Sequence, residues 1–106
     1  MVRDTIVQAL EDRRVLLLDY AGGGSRTVQP HAILRKADGT EVLEAYQVRG
    51  HSDGGIEHGW KNFDLSRIGG VEMMTERFEP RRDFRPVSSQ SGQLVAQVRR
   101  DQAVQL

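Results

Sequence analysis

Three groups of residues in this chain have the types and spacing to do chemistry. The first is the run AGGGSR, Ala21 to Arg26. A phosphate-cradling loop needs a Lys-Ser/Thr pair that opens a helix after its glycines, whereas here a strand-forming stretch containing Pro30 follows. The dinucleotide-binding glycine pattern fails for the same reason, so these glycines are read as a hairpin turn. The second group, His51, Asp53, Glu57 and His58, shares one glycine-rich loop and offers the imidazole and carboxylate ligands that suit zinc or manganese. Its spacing matches no recognised metal site. Ser25, Ser66 and the three histidines supply parts of a nucleophilic triad, but no nucleophile elbow is present. No catalytic residue, metal or cofactor is assigned, and the chain is read as a non-enzyme.

The third group is spread over the strands. Tyr20 ends the first strand, Ser25 and Arg26 open the second, and His31 follows its proline. Lys61 and Phe63 lie on the fourth strand, and Arg67 falls in the turn after it. If these strands form a small barrel, the ends of strands one and two and the start of strand four face one rim, where the seven side chains converge. A bend at Pro30 would present Arg26 and His31 together. A guanidinium gives planar bidentate contacts to phosphate, imidazole adds a donor, and Phe63 or Tyr20 would stack a base. Three or so phosphate contacts make binding weak and salt-dependent. In the plainer reading Tyr20 and Phe63 are core, Arg26 and Lys61 are solvated, and Arg67 caps a turn; residue types alone favour it.

The elements that must position these groups follow from the apolar pattern. Asp4 or Thr5 is the expected N-cap of a short helix carrying Ile6, Val7 and Leu10. Strand one spans about Arg14 to Tyr20 and stops at the glycines. In strand two, RTVQPHAILRK, Pro30 has no amide proton to give to a ladder, which forces an edge, a bulge or a bend. Asp38-Gly39 sits between two strand-like runs and marks a hairpin leading to strand three, about Glu41 to Arg49. WKNFDL gives strand four, SRIGG a turn or single helical turn, and VEMMTERF strand five. RPVSSQSGQ reads as a linker, and LVAQVRRDQAVQL fits a helix or a strand equally well.

The fold class expected is mainly β: a five-stranded SH3-like (Sm-like) barrel preceded by a short N-terminal helix, with residues 1–86 as the domain and 87–106 as linker and tail. The 106-residue chain has room for one domain. It has no cysteine, which excludes disulfides and thiolate metal sites. Fifteen basic residues balance fifteen acidic ones, so attraction to nucleic acid must come from local clustering, as in KNFDLSR or RFEPRRDFR. The absence of a signal-like start or a long apolar run points to a cytoplasmic protein with no membrane association.

Read in order, ALEDRRVLLLDY, SRTVQPHAIL, DGTEVLEAYQV, NFDLSRI and RFEPRRDF resemble the WYL domain family of bacterial transcription regulators, from about Thr5 to Phe84. At the triplet that names the family this chain reads Glu41, Val42, Leu43, so only the leucine matches, while Ala45 and Tyr46 continue the pattern. Ser66 stands where the family prefers an aspartate, and Lys61 is the nearest cation where an arginine usually flanks the phenylalanine. The resemblance implies an Sm-like barrel and a ligand-sensing role, with nucleotides or single-stranded nucleic acid bound in a basic pocket. Tyr20, Ser25, Arg26, His31, Lys61, Phe63 and Arg67 match, fully or by type, the positions expected to form it. The partners implied are that ligand and a DNA-binding regulator or a second copy of the chain, because no helix-turn-helix precedes the barrel here. A protein-interaction or oligomerisation module on the same barrel is the alternative.

Overall fold

The computed structural model describes residues 1–21, 23–50, 58–84 and 92–99. Helix α1 (Val2–Asp12) is followed by β1 (Arg14–Tyr20), β2 (Gly24–Arg35), β3 (Glu41–Gly50) and β4 (Gly59–Asp64). A three-residue 3-10 turn (Leu65–Arg67) leads to β5 (Ile68–Arg77), and β6 (Gln93–Gln97) completes the sheet. All pairings are antiparallel. The strand order is β4-β3-β2-β1-β5, with β6 added to β2.

That order closes the sheet on itself. The outer strands of a flat five-stranded sheet lie about 19 Å apart, four times the inter-strand spacing. Here the two outer strands, β4 and β5, are joined by only three residues in a 3-10 turn, which spans roughly 8 Å from Asp64 to Ile68. The sheet must therefore curl into the small barrel expected from the sequence.

Leu16 and Leu18 of β1, Val28 and Ile33 of β2, Leu43 of β3 and Phe63 of β4 fill the interior with almost no exposure. Ile6, Ala9 and Leu10, spaced so that they share one face of α1, join the same core. Burying each large side chain contributes about 1.5 to 3 kcal/mol. The helix starts earlier than the sequence suggests: Met1 is the N-cap, with no side-chain cap bond, and Asp4 lies in the first turn, where its charge favours the helix dipole. Thr5 Oγ1 donates to the Met1 carbonyl at 3.1 Å, so its hydroxyl is already committed. At the other end, Arg13 adopts the left-handed conformation (φ 56°, ψ 51°) that turns the chain into β1.

β2 is long because it serves two sets of neighbours. Its first half pairs with β1 through Val28, and its second half pairs with β6 from Ala32 onward. Pro30 falls between them, and the register against β3 slips between Pro30 and Ala32. The residue with no amide proton thus sits where one ladder has ended and the next has not begun. The Asp-Gly hairpin forms as expected: Gly39 has φ 89°, Lys36 N–H donates to Thr40 O at 2.8 Å, and Thr40 N–H donates to Asp38 Oδ1 at 2.9 Å. β6 lies within the tail whose pattern left helix and strand open.

Candidate functional site

Alternation along the strands decides which side chains can meet. On β1, Leu16, Leu18 and Tyr20 share the inner face, opposite Val28, Arg26 and Gly24 of β2. On β4, Lys61 and Phe63 point to that same face, opposite Ala45 and Leu43. Tyr20 and Arg26 are thus the last inward residues before the β1–β2 turn, and they close one end of the barrel.

The rings and guanidinium groups there are in contact. Tyr20 packs edge-on against Phe63 with 5.1 Å between centroids. The Arg26 guanidinium carbon lies 5.5 Å from the Tyr20 centroid and 5.9 Å from that of Phe63. The Arg67 guanidinium carbon lies 5.3 Å from the same Tyr20 ring. Two cations therefore share one aromatic ring, each contact worth about 0.5 to 2 kcal/mol depending on how far it is desolvated. Arg26 is only 5% exposed and forms the floor, while Arg67 is open to solvent. Among the described residues no carboxylate lies within ion-pair distance of Arg67.

Backbone contacts fix these positions. Tyr20 Oη accepts from the Asp64 N–H at 3.0 Å, and the Arg67 carbonyl accepts from the Ala21 N–H at 2.9 Å, so the 3-10 turn is tied to the end of β1. Asp64 caps that turn: its Oδ1 accepts from the Ser66 N–H at 2.9 Å and from Ser66 Oγ at 2.7 Å. These two bonds hold its carboxyl below the usual carboxylate range, with the Arg67 charge adding less. Two glycines make room for Arg26. A Cβ on Gly23 would collide with the Arg26 guanidinium. A Cβ on Gly50, whose φ is 115°, would lie 2.8 Å from Arg26 Cα and closer still to the Ser25 carbonyl oxygen. Neither glycine stands out in the sequence except as a strand end or part of a glycine run.

Not all seven residues meet. Tyr20, Arg26, Phe63 and Arg67 come together, and half-buried Lys61 shares their face. Ser25 pairs with Asp19 and points to the opposite face, where it lines a shallow groove beside Glu72. Phe63 is 1% exposed, so it supports Tyr20 from below and presents no ring face to a base. His31 does not reach the rim. It lies at the bulge, 0% exposed, with its ring against Trp60, Phe78 and Phe84. His31 Nε2 accepts from the Arg81 N–H at 3.0 Å, which leaves the proton on Nδ1 to donate to the Gln29 carbonyl at 2.9 Å. His31 lies five residues from Arg26, and an odd separation along a strand puts two side chains on opposite faces. Of the sequence's metal candidates, His51, Asp53 and Glu57 lie outside the described residues.

The outer face around His31 is covered by residues 78–84. Arg81 lies over the Tyr46 ring at 3.5 Å from its centroid and donates to Gln29 Oε1 at 3.2 Å. Trp60 Nε1 donates to Asp83 Oδ2 at 2.9 Å, and its ring stacks on Phe84. The arginine-rich RFEPRRDFR stretch thus spends one of its cations within the fold.

A family model described as the WYL domain matches residues 1–73. Among solved structures, the chain is similar to Proteasome accessory factor B/C (PafBC) of Arthrobacter aurescens, with a TM-score of 0.64 and 21% identity. The likeness covers 79% of this chain and 13% of that one, and at this identity it bears on the fold. No curated protein matches the chain. Among the described residues no helix is long and apolar enough to cross a membrane.

Proposed function

The chain belongs to the WYL domain family, and from that premise we propose that it is a non-enzymatic, ligand-sensing domain of cytoplasmic transcription regulation that binds nucleotides or single-stranded nucleic acid at the Tyr20–Arg26–Arg67 rim. One observation carries the reading: two guanidinium groups converge on one tyrosine ring, and the outer one, Arg67, is exposed with no carboxylate within ion-pair distance among the described residues. Two positive charges gathered around one ring favour an anion at that rim, and a planar fork matches phosphate oxygens. Lys61 adds a third positive charge on the same face. With so few cations in a neutral chain, binding is weak, which suits a sensor that must release its ligand.

The test is a low-salt titration of the double variant Arg26→Ala, Arg67→Ala with short oligonucleotides and with cyclic and linear nucleotides. Loss of binding relative to the unsubstituted chain is expected, and unchanged affinity refutes the site. A second reading, self-association or partner binding through an edge strand, has its own observation: β4 and β5 each pair on one side only. Light scattering after size exclusion, with and without oligonucleotide, separates the two. A mass doubled regardless of oligonucleotide favours the second.

A further inference from the structure

Resting on the rim proposed above, we infer that the domain takes the phosphodiester backbone of a single strand and leaves its bases unread. Proteins that hold single strands usually combine cations with aromatic faces on which bases stack, each stack worth about 1 to 3 kcal/mol. This chain has six aromatic residues, two Tyr, one Trp and three Phe, and all six are described. None is exposed. Tyr20, the one at the rim, has guanidinium groups 5.5 and 5.3 Å from its ring centroid. Phe63 is buried beneath it, and Phe78 and Phe84 are buried against His31. Tyr46 lies under Arg81, and Trp60 is held between His31, Tyr46 and Phe84 on the opposite face of the sheet.

The side chains that read base edges are also spoken for near the rim. Amides pair bidentately with bases when they are free to reach them. Gln47 is 0% exposed, Gln29 accepts from Arg81, and Asn62 lies on the outer face opposite Glu44. What the rim offers is positive charge, with Arg67 outermost, Arg26 beneath it and Lys61 on the same face. Such a surface meets every nucleotide in the same way.

The experiment titrates the full chain with (dT)12 and with an abasic strand of the same length. The expected result is equal affinity within about threefold. Affinity for both strands should fall roughly 7- to 20-fold between 50 and 200 mM salt, the range for two to three phosphate contacts on a single strand. Arg67→Ala should weaken both strands by the same factor. An abasic strand that binds more than tenfold more weakly than (dT)12, with (dT)12 still dependent on Arg67, overturns the inference and leaves the rim reading standing. No binding of either strand at 50 mM salt overturns both.

Discussion

The Tyr20 side chain does two jobs that substitution can separate. Its ring carries the two guanidinium groups, and its hydroxyl accepts the Asp64 N–H. Tyr20→Phe keeps the first and removes the second, so it should cost about 1 kcal/mol of stability in chemical denaturation while anion affinity is retained. Tyr20→Ala should lose both. Gly50→Ala is expected to be worse for the rim than its size suggests, because a positive φ and a close approach to Arg26 Cα act together. A drop in both the denaturation midpoint and oligonucleotide affinity is the expected readout. At this scale the sequence was informative wherever simple alternation holds. Tyr20 and Arg26 are found on one face because the β1–β2 ladder keeps its register from the turn to Val28, and Phe63 joins them opposite Leu43. His31 was misplaced because it lies an odd number of residues from Arg26, so alternation alone sends it to the other face. Ser25 was misplaced by the same oversight, since the neighbour of an inward residue must point outward.

Among the elements, α1 and the β2–β3 hairpin are joined by charges. Glu41 of β3 accepts from Arg3 of α1 at 2.8 Å and from Arg35 of β2 at 2.8 Å. The hydrogen bonds from these two arginines hold the Glu41 carboxyl below its ordinary value of 4.5. A depressed carboxylate contributes stability above its unfolded value and loses it as the pH falls through the lower folded value. Glu44, on the outer face, behaves oppositely. Its Oε1 is buried with no hydrogen-bond partner among the described residues, and burial raises its carboxyl above the ordinary range. Ionising it costs stability once the pH has risen through the folded value. Glu41→Gln should therefore lower the thermal midpoint at pH 7 and Glu44→Gln should raise it. The Glu44→Gln difference should vanish near pH 3, where that carboxyl is protonated in the folded and unfolded chain alike, and the Glu41→Gln difference should shrink as the pH falls through the lower folded value. The helices and strands themselves were largely legible, since hydrophobic runs bounded by glycine and Asp-Gly turns mark β1 to β5 directly. β6 was not, because its five residues owe their strand form to the free flank of β2 left beyond Pro30, a long-range partner that local pattern does not encode.

At the scale of the whole molecule, one core holds α1 and the barrel, and Leu43 sits at its centre with no exposure. Leu43→Ala should cost about 2 to 5 kcal/mol in urea denaturation, with the transition remaining a single cooperative step. The barrel could be inferred from strand count and turn spacing, but its closure depends on which strands become neighbours, and that is decided by β5 returning to β1. Four of the five strand junctions along the path from β4 round to β5 are backbone ladders. The fifth, between β5 and β4, has no ladder. It is held by the Leu65–Arg67 turn, by the Tyr20 hydroxyl and by the Ala21 bond to Arg67. The cylinder consequently has a seam, and Arg67 stands at its end. Thermal breathing will part the wall along that line before any ladder yields, so the stretch of chain that meets an anion is also the stretch whose amide protons should trade fastest with water.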